Sequence, residues 1–451
     1  MNYYRTIISL LIICFSFSGL LAQDRYVTLE ECISIALQNH SSRFQSLEDY
    51  KINIAQYKMA RARRSVIING QLRTIETDKD DDDTSTSYSL PGVDTYIGLY
   101  GGLVMSYNIV DEKSKREADV ARVSIDMSKI DNEKTVQEIE VGVKKAYFGY
   151  LLAKRKYDVQ KEIHSKYKNK LILARKLFNN GSRPILDVSR SEVDLANSQL
   201  QLNNARNTEN RMKRNLFHAM GLEQKEKINI VPRDLTELPV LKKNLEDIYI
   251  IAEIYNPAIR GANLEKKIAR MKIDTARAAH FPKVNLSMGG GYKIEQLHGS
   301  DEFNKNFDSG EWTPVVYALF TATLPIYTGG LISSGVDVAV SQYNKVIYKV
   351  KEVKANVKAS IRDNYRGLSD IKKQMEVSEM VIKNAEKHLL LAQRSYENGA
   401  SSLLELQDAE LSVSRAKMAS VEYKYNYFLT LANLSSLTGV KEDLICRTKE
   451  K

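Results

Sequence analysis

The stretch Tyr365 to Gly439, which turns at Tyr396-Glu-Asn-Gly399, repeats an earlier one, Tyr147 to Gly221, which turns at Phe178-Asn-Asn-Gly181. At a constant offset of 218 and without a gap, the two agree at Tyr147/Tyr365, Lys154/Lys372, Ala174/Ala392, Asn180/Asn398, Gly181/Gly399, Leu186/Leu404, Glu192/Glu410, Leu216/Leu434 and Gly221/Gly439. An Asn-Gly pair after a helical run supplies the left-handed residue that ends a helix. Each copy therefore reads as a helical hairpin, and the chain as a duplication.

Heptads show how these helices pack. Every seventh residue from Ile361 gives Leu368, Met375, Ile382, Leu389 and Tyr396, with Ile371, Ala385 and Ala392 between. The first copy gives Val143, Tyr150, Tyr157, His164, Leu171 and Phe178, with Ala146, Ala153 and Ala174. Large residues alternating with small ones suit close knobs-into-holes packing. The stripe is a structural seam, and His164 within it is a packing residue.

The duplication extends upstream. Thr28-Leu-Glu-Glu opens a capped amphipathic helix reaching about Arg64, and Asn244-Leu-Glu-Asp opens its counterpart at an offset of 216. Both copies then change to a period of two. Val66, Ile68, Gly70 and Leu72 alternate with Ile67, Asn69, Gln71 and Arg73, and Val284, Leu286, Met288, Gly290 and Tyr292 with Asn285, Ser287, Gly289, Gly291 and Lys293. After polar loops at about 77–94 and 296–311 come partner strands: Ile97, Leu99, Leu103, Met105 and Tyr107 share one face of the second strand, and Val316, Ala318, Phe320, Ala322, Leu324 and Ile326 share one face of the fourth.

Four strands of about ten residues, apolar on one face, have the pattern of a membrane barrel. Four are too few to close one, and unpaired edges are prohibitive in lipid, so several chains must contribute. Helices resume at about Glu112 and Gly330 and run to the turns; at a rise of about 1.5 Å per residue each spans on the order of 100 Å. The expected fold is thus an α+β membrane protein, with two long antiparallel coiled-coil hairpins and four transmembrane strands per chain.

The expected boundaries follow. Residues 1–22 have the layout of a secretory signal peptide: Arg5, the apolar run Ile7 to Phe17, then small residues before Gln23. Cys14 lies inside that run, so an acylated N-terminus is not favoured. The first repeat covers 23–240, with strands at about 66–76 and 95–109 and a hairpin at about 112–221. The second covers 241–440, with strands at about 283–295 and 313–327 and a hairpin at about 330–438; 441–451 form a tail.

Composition narrows the function. The net charge of +10, +9 without Arg5, is spread along helix faces, which suits a solvated surface with some anionic-lipid or partner contact and not nucleic acid. Cys32 and Cys446 are no disulfide framework, so free thiols are expected. No run of about 20 apolar residues follows the signal. The six histidines form no ligand spacing. Asp78-Lys-Asp-Asp-Asp-Asp83 lacks the central glycine of a calcium loop, and Gly289-Gly290-Gly291 has no following Lys-Ser or Lys-Thr of a phosphate loop. No cofactor, metal or enzymatic constellation is expected.

Leu324-Pro325-Ile-Tyr-Thr-Gly329-Gly330, followed by Val336, Ala339 and Tyr343, resembles the barrel-to-helix junction of the TolC-type outer membrane efflux proteins. Phe281-Pro282-Lys283-Val284 resembles that family's approach to its third strand, and the paired glycine hairpins resemble its internal repeat. The first half departs from this pattern: Met105 to Glu112 contains neither Pro nor Gly-Gly, and Val66 stands where the second copy has Pro282.

The resemblance covers nearly all of the chain after the signal. It implies a homotrimer whose strands form one 12-stranded barrel in the outer membrane and whose helices form a periplasmic tunnel. It also implies docking of a periplasmic adaptor (membrane fusion) protein and an inner-membrane transporter, with no catalysis and no cofactor. Residues 222–243 and the tail would lie around the tunnel's middle.

The family's acidic constriction falls on Glu405 and Asp408, three residues apart and so on one helix face. Three chains would gather six carboxylates and favour cations. Ser402-Leu-Leu-Glu405 is also a capping box, so a capping role for Glu405 stands beside the ring. Asp187, the matching acid of the first copy, reads either as a helix-start acid or as a tip-closing contact. The exit duct of a tripartite efflux pump or type I secretion system is the expected function; an exported periplasmic coiled-coil scaffold or adaptor without a pore is the alternative.

Overall fold

A computed structural model describes residues 25–78, 95–223, 228–231, 238–298 and 312–447. The expected signal peptide, the acidic run after Asp78 and most of both long loops lie outside them. In chain order the elements are β1 Arg25–Val27, α1 Leu29–Asn39, α2 Ser41–Ala62, β2 Ile67–Asp78, β3 Thr95–Val110, α3 Glu112–Asn179, α4 Ile185–Ala219, β4 Ile228–Ile230, β5 Val240–Leu241, α5 Leu245–Tyr255, α6 Pro257–Arg277, β6 Lys283–His298, β7 Thr313–Thr323, α7 Leu331–Glu397, α8 Leu403–Thr438, α9 Glu442–Ile445 and β8 Cys446–Arg447. No described helix is long and apolar enough to cross a membrane.

The residues group into two compact units: Met1–Leu47, Ile130–Arg260 and Glu352–Lys451 in one, Glu48–Lys129 and Gly261–Lys351 in the other. This division cuts across the repeats, since each unit takes segments from both.

In the first unit the two repeats reach the same local structure with different residues. Thr28 Oγ1 accepts from the Glu31 amide at 3.3 Å while a Glu31 carboxylate oxygen accepts from the Thr28 amide at 2.8 Å, closing a capping box on α1. Asn244 Oδ1 caps α5 by accepting from the Asp247 amide at 2.8 Å. Each short helix breaks and restarts at once. His40 marks the break in the first copy, where its Nδ1 accepts from the Ser42 amide. In the second copy Asn256 accepts from the Ile259 amide and donates to the Leu437 carbonyl at 2.7 Å.

The glycines that end the hairpins dock on those breaks. Gly439 closes α8 at φ 75°, and a Cβ there would lie 2.4 Å from the Tyr255 carbonyl oxygen. Gly221 has φ 69°, and its Cβ would lie 2.9 Å from the Asn39 backbone. Glycine is required twice over, by backbone conformation and by space.

Two large apolar clusters and two smaller ones occur among the described residues of this unit. Phe148 stacks on Phe428 with ring centroids 5.4 Å apart, and the Tyr147 hydroxyl donates to the Val231 carbonyl at 2.7 Å. Ile248, Ile361, Leu431, Leu434 and Cys446 belong to the second cluster. The heptad positions Ile361, Leu368, Met375 and Tyr396 are buried, as are Val143, Tyr150 and Leu171. Phe178, in the last turn of α3, is 39% exposed, whereas its counterpart Tyr396 is 1% exposed. Cys32 and Cys446 are thiols in different clusters, and burial pushes the Cys32 thiol up to about 12. Parallel β1–β4 and antiparallel β5–β8 were not legible in the sequence, since strands of two or three residues carry no period.

The second unit holds a four-stranded antiparallel sheet in the order β2-β3-β6-β7. Register puts Ile68, Met105, Met288 and Ala318 side by side on one face, with Tyr107, Leu286 and Phe320 in a neighbouring row. This apolar face is open: Leu72 is 77% exposed, Leu103 61% and Val316 86%. On the other face Gly102 pairs with Gly291, where a Cβ would lie 2.5 Å from the partner's Cα.

β7 ends at Thr323 and not at about 327. Its partner begins at Lys283, opposite Thr323, and the preceding Pro282 has no amide to extend the ladder. The two long helices start differently. Gly329 and Gly330 at φ 60° and 85° turn the chain into α7. Asp111 instead receives the Ser114 amide at 3.0 Å and the Ser114 hydroxyl at 2.7 Å at the start of α3. Burial opposes ionisation of Asp111, but the Ser114 bonds and nearby Lys283 outweigh it and hold its carboxyl below the usual range.

Replacing Gly439 by alanine is expected to cost more stability than replacing Gly399, where φ is 78° but a Cβ would meet nothing within 4 Å. Gly399→Ala bears only the left-handed strain, about 1–2 kcal/mol. Thermal unfolding of both variants in detergent measures the difference, and equal losses would show that docking at Tyr255 contributes nothing.

Candidate functional site

The turn ends of the hairpins, within the first unit, hold the acids singled out above. Helix α8 starts at Ser402, whose hydroxyl accepts from the Glu405 amide at 3.3 Å. The Glu405 side chain does not return the bond that Glu31 returns at Thr28, so the cap is one-sided and the carboxylate points to solvent. Glu405 and Asp408 are both exposed, on one face one turn apart. Gly181 and Gly399 have φ 70° and 78° in their turns. In the second unit Pro325 is half-buried just after β7.

Asp187 is placed otherwise. It is 7% exposed in the first turn of α4, and its Oδ2 accepts from the Tyr396 hydroxyl at 3.4 Å. That bond joins the first hairpin to the second. Burial and the Asp187 carboxylate push the Tyr396 phenol up, so it remains a donor. Arg183 completes the arrangement, with Nη2 donating to the Tyr396 carbonyl at 2.9 Å and to the Ser401 carbonyl at 2.8 Å. Its guanidinium lies over the Tyr396 ring at 4.6 Å. The Tyr396 carbonyl, in the last turn of α7, also accepts from the Gly399 amide at 3.1 Å, and Ser401 lies in the turn before α8, so Arg183 ties the end of one helix to the start of the next. Arg183 carried no sequence signal, because its partners lie more than 200 positions away.

A second cross-hairpin contact was equally hidden. Lys170 of α3, its side chain 3% exposed, sits 3.2 Å from Asp194 of α4 and 3.5 Å from Glu410 of α8. Gln407 donates to the same Asp194 oxygen. Burial raises the Glu410 carboxyl above its ordinary range although Lys170 opposes the shift. A cavity of about 220 Å³ lies beside this group, walled by Val159, Ile163, Leu389 and Val413. His164 bonds Ser198 at 2.9 Å, and no group of metal-ligating side chains occurs among the described residues.

Lys170→Met would leave two carboxylates without their buried cation, an expected loss of about 3 kcal/mol. Chemical denaturation of the two proteins measures it. An unchanged midpoint would mean that both acids rehydrate without disturbing the helices.

Residues 74–222 and 250–440 match the family described as Outer membrane efflux protein. Outer membrane protein TolC of Escherichia coli (strain K12) is 22% identical over 199 residues, covering 43% of this chain and 40% of TolC. Alkaline protease secretion protein AprF of Pseudomonas aeruginosa is 20% identical over 318 residues, covering 68% of this chain and 62% of AprF. The matches thus span less than two thirds of either relative. The solved Campylobacter jejuni CmeC outer membrane channel superposes with a TM-score of 0.76 at 17% identity, over 91% of this chain and 85% of CmeC, which is a likeness of fold. Because the family match takes in both repeats and most of the chain, the protein belongs to the outer membrane efflux protein family and is located in the outer membrane.

Proposed function

We propose that this chain is the passive outer membrane channel through which an efflux pump or type I secretion system discharges its cargo. The observation that carries the reading is the sheet of the second unit. It exposes an apolar face and, among the described residues, leaves one side of β2 and one of β7 without a strand partner. Lipid tolerates the face but not the edges, whose amides and carbonyls would lose several kcal/mol each. Pairing with further copies satisfies both, and three copies of four strands close a twelve-stranded barrel. Trp312 and Tyr327, both exposed, bracket β7 as interfacial aromatics bracket a membrane strand. A pore-free periplasmic scaffold has no use for such a face.

In this reading the hairpins of three chains form a periplasmic tunnel that meets an adaptor protein and an inner-membrane transporter. Their turns form its inner end. Glu405 and Asp408 from three chains make a ring that favours cations, and the one-sided cap leaves Glu405 available for it. Asp187, held by Tyr396, serves as the tip-closing contact. AprF is named for protease secretion and CmeC as an outer membrane channel, and a duct whose cargo is chosen by its pump accommodates both.

Conductance of the detergent-purified protein in a planar bilayer tests this. Stable steps with a cation preference are expected, and Glu405→Ala/Asp408→Ala should bring cation and anion permeabilities towards equality. Steps unchanged by the double substitution would remove the acidic ring and keep the channel. Absence of steps from a protein soluble without detergent would overturn the channel itself.

A further inference from the structure

The two segments that lead into the sheet are strongly basic. Lys58, Arg61, Arg63 and Arg64 occur between Tyr57 and Ile67 with no carboxylate among them, and Arg270, Lys272, Arg277 and Lys283 face only Asp274 over 270–283. These are corresponding positions of the two repeats, each just ahead of its first strand. Register shows that they meet one end of the sheet, since Ile67 pairs with Ser106, Val284 with Val110 and Lys283 with Thr323.

Part of this charge is neutralised locally. Arg63 lies 2.9 Å from Glu117 and Lys283 lies 3.4 Å from Asp111. Arg61, Arg64 and Arg277 are exposed and have no carboxylate at ion-pair distance among the described residues. Apolar side chains are exposed at the same end: Phe281 is 59% accessible, Ile326 93% and Tyr327 89%. An open groove of about 440 Å³ runs between the two basic segments, with Arg63, Lys113 and Lys283 on its walls opposite Asp111, Glu112 and Glu117, so its charge is balanced and the unpaired arginines lie outside it.

Exposed aromatic rings and unpaired arginines at the end of an apolar strand band are the chemistry of a headgroup layer. Rings sit at the level where tails meet headgroups, and arginines are drawn to anionic lipid. We propose that Arg61, Arg64 and Arg277, with Phe281 and Tyr327 beside them, form a collar that binds the phosphate groups of anionic phospholipid where the strands leave the bilayer. The proposal rests on the membrane reading of the sheet and adds a lipid class to it. The collar belongs to each chain, so it requires no contact between copies.

Native mass spectrometry of the detergent-purified protein, titrated with phosphatidylglycerol and with phosphatidylcholine, tests the collar. The intact protein should retain phosphatidylglycerol preferentially, and added sodium chloride should weaken the preference. At about fivefold per arginine, Arg61→Gln/Arg64→Gln/Arg277→Gln should lose on the order of 100-fold in that preference. All three side chains are exposed, so the triple variant should keep its circular dichroism and its conductance in a neutral bilayer. Equal retention of both lipids, an undiminished preference in the triple variant, or displacement of phosphatidylglycerol by millimolar inorganic phosphate would overturn the collar. In those cases the protein still conducts. Failure of the intact protein to conduct in any bilayer overturns the membrane reading instead.

Discussion

An antiparallel sheet has two edges, and in lipid neither can be left unpaired. This constraint organises the chain. In the proposed channel, four strands with open apolar residues such as Leu72, Leu103 and Val316 are a fragment of a larger structure that further copies would complete. The Gly102/Gly291 pair lets β3 and β6 approach closely on the face opposite the apolar one. The basic segments ahead of β2 and β6 meet that sheet at one end.

The first unit answers a different demand, the packing of long helices that are amphipathic but not strongly apolar. Its core is built from aromatic contacts such as Phe148 on Phe428, and the hairpin glycines dock on the broken helices of each repeat. Towards the turns, polar contacts stand beside smaller apolar clusters around Tyr396, Leu403 and Leu406 and around Leu171 and Val188. Arg183 on Tyr396 and Ser401, Tyr396 on Asp187, and Lys170 between Asp194 and Glu410 all join the first hairpin to the second. Such contacts have discrete partners, so they specify one alignment of the hairpins where an apolar seam tolerates several.

Much of this was legible in advance. The offset of 218, the change of period near Val66 and Val284, and the turn glycines read directly as repeats, strands and hairpins, because periodicity and punctuation are local properties of a chain. Local reading failed where another segment decides. The alternation through Ile326 suggested a strand that stops at Thr323 because its partner stops. Phe178 has the spacing of a core residue but is 39% exposed in the last turn of its helix, whereas its counterpart Tyr396 is buried, with Arg183 over its ring.

The candidate site divides in the same way. Sequence by itself determined that Glu405 and Asp408 share a helix face just past a glycine turn, since a helix fixes the positions of residues three apart. It also determined the duplicated hairpins and the alternating strands. Only the tertiary structure decided that Asp187 is buried against Tyr396, that Arg183 spans the two turns, and that Lys170 is enclosed by two acids. The physical reason is range: helix and strand periods are set by neighbours a few residues away, whereas a buried charge is tolerated only if partners from distant segments arrive to satisfy it.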